Sequence, residues 1–118
     1  MEIKVWYLKT CSTCQRILKE LGLNEDNAEL INIKETALTE DEIDLFYSFT
    51  GSYKALINGR SMQFRQRGIK SSDIDEDKAR ELVLDHYAFL KRPVIQVDDQ
   101  LFVGNSKNVV NQLKEVLK

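Results

Sequence analysis

The chain is poor in several residue types that would announce a special architecture. It has two cysteines, one histidine, one tryptophan and one proline among 118 residues. Two cysteines cannot staple a chain of this length, so a disulfide framework is excluded. The lone histidine, His86, leaves a zinc site under-supplied: beside Cys11 and Cys14 it is the remaining candidate ligand, where a structural site takes about four. The net charge is −2, which gives no general pull toward nucleic acid or acidic membranes. No apolar run approaches the length of a membrane span. The opening residues MEIKVWYLKT lack a basic segment and a long apolar stretch, so they do not read as a signal peptide. There are no repeats, no low-complexity tract and no linker. What is there is 42% hydrophobic and 31% charged, the composition of an ordinary soluble globular protein, long enough for one domain over residues 1–118. A reducing, cytoplasmic setting is expected, with any Cys11–Cys14 bridge transient and functional.

The two cysteines form one Cys-Ser-Thr-Cys unit between an apolar strand and a helix. A CxxC at such a junction is the mark of a thioredoxin-like redox site. The first turn of a helix offers unpaired N–H groups and partial positive charge, which favour a thiolate over a thiol. Cys11 is therefore the candidate nucleophile. Cys14 lies one helical turn further and is the candidate resolving thiol, although a cysteine at that spacing also suits a small core position.

Around this unit the elements alternate. Ile3, Val5 and Tyr7 alternate with Lys4, Trp6 and Leu8, which predicts a strand buried on both faces. Ser12 or Thr13 is expected to cap the next helix, whose stripe is Ile17, Leu18 and Leu21 and whose stop is Gly22. Glu29 to Ile33 reads as a second strand, parallel to the first by the usual crossover. Thr39 caps a helix that begins Glu40-Asp41-Glu42, presents Ile43, Leu45, Phe46 and Phe49 as its apolar face and stops at Gly51. Residues 52–68 read as short helices and turns with basic tips at Lys54, Arg60, Arg65 and Arg67. A further helix is expected from about Asp75 to Tyr87. Pro93 then opens a strand over Val94–Val97, Asp98-Asp99 turns it into Leu101-Phe102-Val103, and Ser106 caps a last helix. The order β-α-β, helices, β-β-α predicts an α/β, thioredoxin-like fold with a mixed sheet and an all-helical insertion over about residues 37–90.

The stretch Tyr7-to-Cys14 (YLKTCSTC), Asn58-Gly59-Arg60-Ser61 followed by Phe64-Arg65, the Arg92-Pro93 step and Val103-Gly104, in this order and at this length, resemble the ArsC/Spx family of thioredoxin-fold proteins. That family holds glutaredoxin-linked arsenate reductases and the Spx transcriptional regulators. The resemblance implies a thiol-dependent oxidoreductase acting on a small oxyanion or a thiol/disulfide substrate, with Cys11 as nucleophile. Its catalytic residues would be Cys11, Cys14 and Arg92. Arg60, Ser12, Thr13 and Pro93 would bind the substrate or anion, and in thioredoxin folds such a proline commonly has a cis bond. No bound cofactor is implied; glutathione, glutaredoxin or thioredoxin would be the external reductant. Of the three arginines the reductases place around the oxyanion, Arg92 matches one. The second falls on Asn58, with Arg60 two residues on, and the third on Gly104-Asn105-Ser106, where only Lys107 is basic and near. The competing reading is an Spx-like redox-sensing regulator that contacts the RNA polymerase α C-terminal domain through Gly51 and Arg60. A monomer is expected, with no direct nucleic-acid or membrane contact. His86 reads as a half-buried structural residue rather than a base.

Overall fold

The computed structural model describes residues 1–118 and is mixed α/β. The chain divides into two compact units, one made of Met1–Thr36 with Arg92–Lys118 and the other of Ala37–Lys91.

The first unit is built on four strands, β1 (Ile3–Tyr7), β2 (Glu29–Asn32), β3 (Val94–Val97) and β4 (Gln100–Val103). They lie in the order β2-β1-β3-β4. β1 and β2 are parallel, with Val5 opposite Leu30, while β1–β3 and β3–β4 are antiparallel. Helices α1 (Ser12–Leu21) and α5 (Lys107–Val116) supply Leu18 and Leu113, which pack with Val5, Ile95 and Val97 of the sheet. Lys114 of α5 donates to Glu20 of α1 at 2.9 Å. Trp6 and Val94, paired on the opposite side of the pleat, are buried as well, so the central strands are covered on both faces there, as the adjacent apolar pairs Val5-Trp6 and Val94-Ile95 predict. Gly22 ends α1 in the left-handed conformation. The hairpin joint is closed by Asp98, at φ 51°, a conformation aspartate tolerates better than most residues. Asp98 also exchanges hydrogen bonds with the Glu2 main chain, its N–H donating at 2.8 Å and its Oδ1 accepting at 2.7 Å.

The second unit is helical: α2 (Glu40–Thr50), α3 (Met62–Arg67) and α4 (Glu76–Asp85), with three short 3-10 turns at Lys54–Leu56, Ser71–Asp73 and Tyr87–Phe89. Thr39 and Glu42 form a full capping box at the start of α2, an arrangement that contributes about 1 kcal/mol. The core holds Ile43, Phe46, Leu56, Leu82, Val83 and Phe89. Arg80 of α4 bridges to Asp44 of α2 at 3.0 Å, and Tyr53 donates to the same carboxylate at 2.7 Å. Glu76 accepts from Ser52 Oγ and from the Tyr53 and Lys54 main-chain N–H groups, tying the start of α4 to the first 3-10 turn.

Three local expectations are corrected. Neither Ser12 nor Thr13 occupies the cap of α1; that position belongs to Cys11, and Ser12 is the first helical residue. Leu45 and Phe49 are not inward: they are 37% and 40% exposed, because the core-facing stripe of α2 is carried by Ile43 and Phe46 alone. Helix α4 ends at Asp85 rather than Tyr87, because His86 turns extended and its Nδ1 accepts the Ala88 N–H at 3.0 Å, capping the following 3-10 turn.

Candidate functional site

Strand β1 delivers the chain to Leu8, and the Cys11 N–H closes back on the Leu8 carbonyl at 3.0 Å. That tight turn leaves Cys11 extended, at φ −84° and ψ 115°, on the cap of α1, with its carbonyl accepting the first helical bond from Gln15. The cysteine side chain so replaces the serine or threonine that a helix start favours. As a neutral thiol it makes no capping hydrogen bond. A thiolate there is a much stronger acceptor, and the first-turn donors face it.

The two thiols are pushed in opposite directions. At Cys11, partial burial opposes ionisation, but the Cys14 N–H and thiol, the Thr13 N–H and the positive charge of Arg92 together outweigh it, and its pKa falls below the ordinary 9.0. At Cys14, burial is the largest cause; added to the charge of Cys11 and the hydrogen bond to it, it outweighs the Leu8 backbone and Arg92 and raises the pKa to about 11. Cys14 is fully buried and Cys11 partly exposed, and both are free thiols. One sulfur is thus open and ionisable, while the other is shielded and holds its proton.

Arg92 and Pro93 stand at the entry of β3, joined by a cis peptide bond. The antiparallel register sets Val94 opposite Trp6, which carries Arg92 to the end of β1 where the Cys11 loop begins. The Pro93 carbonyl accepts the Gly104 N–H at 2.9 Å, fixing this step against the end of β4. Cys11, Cys14, Thr13 and Arg92 are thereby brought together at one end of the sheet, and Ser12 is exposed on the first turn of α1.

Arg60 belongs to the second unit. It is exposed, on a turn in which Asn58 Oδ1 accepts its N–H at 3.2 Å just before Ser61 caps α3. Gly51 ends α2 in the left-handed conformation at φ 71°. His86 is half-buried, its ring 4.5 Å from that of Tyr87. No group of three or more His, Cys, Asp or Glu side chains is placed to hold a metal ion. No helix is long and apolar enough to cross a membrane.

Two residues passed over in the sequence touch the Cys11 loop. Asn32, at the end of β2, accepts the Lys9 N–H at 3.2 Å through Oδ1, and Gln15 in α1 donates Nε2 to the Lys9 carbonyl. No spacing signals them: Asn32 stands 23 residues beyond Lys9, and only the parallel crossover returns it to the loop.

The family model for the ArsC family matches residues 6–113. This chain belongs to that family. An arsenate reductase of Neisseria meningitidis serogroup A is 23% identical over 105 residues, which span 87% of this chain and 90% of that protein. Among solved structures, the arsenate reductase from Vibrio cholerae superposes with a TM-score of 0.76 at 17% identity, covering 98% of each chain. An arsenate reductase (ArsC) related protein from Brucella melitensis superposes with a TM-score of 0.69 at 25% identity, covering 92% of this chain and 90% of that one. With the ArsC fold shared so fully, the thioredoxin-like architecture expected from the order of elements stands.

Proposed function

We propose that this ArsC-family chain is a thiol-dependent reductase in which Cys11 is the attacking thiolate, Cys14 the resolving thiol and Arg92 the group that orients an anionic substrate. One observation supports this reading above the others: at a single helix start, the partly exposed thiol is made easier to ionise and the buried one harder. The family membership and the relatives named arsenate reductase support the reaction class.

With a disulfide substrate, Cys11 Sγ attacks one substrate sulfur, and the substrate S–S bond breaks. The departing sulfur leaves as thiolate with the bonding pair. With an oxyanion, the Cys11 sulfur bonds to the central atom while one hydroxyl of the oxyanion takes a proton from solvent and leaves as water with the bonding pair, and the Arg92 guanidinium offsets the negative charge. In either adduct Cys11 no longer carries charge. Two of the causes that hold the Cys14 proton, repulsion by Cys11 and the hydrogen bond to it, then vanish, while Arg92 and the Leu8 backbone still favour the anion. Cys14 loses its proton to solvent and attacks Cys11 Sγ. The Cys11–Cys14 bond forms, and the pair of electrons from the broken bond stays on the leaving substrate, reduced by two electrons. An external thiol, glutathione or a glutaredoxin or thioredoxin, returns the disulfide to dithiol. The experiment is a single-turnover reaction of the reduced Cys14→Ser variant with oxidised glutathione or arsenate, read by intact mass and peptide mapping. An adduct on Cys11 is expected, with little or none on Cys14 in the same reaction of Cys11→Ser; no adduct on Cys11 with either oxidant, or an equally fast adduct on Cys14 in Cys11→Ser, overturns the assignment.

The regulator reading keeps one specific support. Helix α2, capped by Gly51, exposes Leu45 and Phe49, one turn apart on the same face, by 37% and 40%, and adjacent apolar groups left open suit a protein partner. Capture of the RNA polymerase α C-terminal domain in one redox state only would favour it; no capture in either state would remove it.

A further inference from the structure

The loop from Leu8 to Cys11 is exposed at Lys9 and Thr10. An exposed loop ordinarily gives its main-chain groups to water. Here both main-chain groups of Lys9 go to side chains of two different elements. Its N–H donates to Asn32 Oδ1 at the end of β2, at 3.2 Å, and its carbonyl accepts from Gln15 Nε2 in α1. The same Asn32 oxygen also accepts the Lys34 N–H at 3.4 Å, so one atom ties the exit of β2 to the approach to Cys11. Gln15 is exposed and Asn32 only partly buried. The structure therefore gives both amides hydrogen bonds to this loop rather than a place in the core.

We propose that Asn32 and Gln15 are positioning residues that clamp the Lys9 main chain and so hold Cys11 on the cap of α1. This rests on the reading of Cys11 as the attacking thiolate. The geometry behind it is direct. Gln15 reaches back from the same turn whose Thr13 and Cys14 N–H groups face the sulfur, and Asn32 anchors the loop to the sheet from the other side. Interactions of a thiolate with N–H donors weaken steeply with misalignment. A loop freed from the clamp would sample positions in which those donors and the Arg92 charge no longer converge on Sγ.

The test uses Asn32→Ala, Gln15→Met and the double variant, with Asn111→Ala on the exposed face of α5 as control. Cys11 alkylation rate is measured against pH on the whole chain, and amide exchange of Lys9 is followed by NMR. Both single variants are expected to shift the midpoint of the Cys11 profile upward, the double variant further, with the control unmoved. Loss of Lys9 amide protection in Asn32→Ala is expected alongside. A profile unchanged from the parent in both single variants, or a change confined to the denaturation midpoint, overturns the proposal. An ordinary thiol profile in the parent protein would instead overturn the reading of Cys11 itself, so the two failures are distinguishable.

Discussion

Alkylation of the reduced protein at about pH 8 should label Cys11 and spare Cys14. The perturbation is an iodoacetamide pulse, and the expected selectivity follows from the two environments. Cys14 is raised from the ordinary 9.0 to about 11, chiefly by burial, which favours the thiol. Because the thiolate is the nucleophile, that shift alone leaves Cys14 with roughly a hundredfold less reactive form than an ordinary thiol at the same pH. Its complete burial slows it further. Cys11 is displaced the other way and is open to reagent. Peptide mass mapping over a time course gives both rates in one sample. The Cys11→Ser variant sharpens the test. It removes the neighbouring thiolate charge, one cause that raises Cys14, so Cys14 should become faster than in the parent while burial keeps it slower than a free thiol. Equal labelling of the two thiols in the parent, or faster labelling of Cys14, would refute the opposed environments.

Three further outcomes are expected. The raised Cys14 thiol contributes stability that is intact below about pH 9 and lost as pH climbs through about 11; urea unfolding of reduced parent and Cys14→Val should show the alkaline decline shrinking in the variant, and equal declines would contradict it. Arg92→Met removes a charge that favours the Cys11 thiolate, so Cys11 alkylation at about pH 6 should slow, with Arg92→Lys in between; rates equal to the parent would discard Arg92 as a partner of the sulfur. At Gly51, at φ 71°, an added Cβ meets no neighbour, so the cost of Gly51→Ala is backbone strain alone, about 1 kcal/mol; thermal unfolding with no loss would show that the position tolerates a side chain.

Much of this arrangement was legible before the structure because local chemistry and tertiary packing agree. The Cys11–Cys14 spacing, the apolar run Val5-Trp6 and the three acids after Thr39 each point to one local geometry, and the sheet and helices adopt it. The misses share a cause: they depend on which of several competent groups wins. Ser12, Thr13 and Cys11 all suit a helix start, and the tight turn onto the Leu8 carbonyl gives the cap to Cys11. A helix running from Asp75 on to Tyr87 fits the pattern, but His86 turns extended and its imidazole takes the Ala88 N–H that another turn of α4 would have given to the main chain. Asn32 and Gln15 carry no pattern, since their partner is a main-chain group that only the crossover brings near.

The most direct test of Cys11 as the attacking group is steady-state turnover with arsenate, and separately with oxidised glutathione, coupled to a glutaredoxin or thioredoxin recycling system, for parent and Cys11→Ser. The account predicts turnover of at least one of these oxidants by the parent and its loss in Cys11→Ser, with circular dichroism showing the fold intact. Parent-level rates in Cys11→Ser would contradict it.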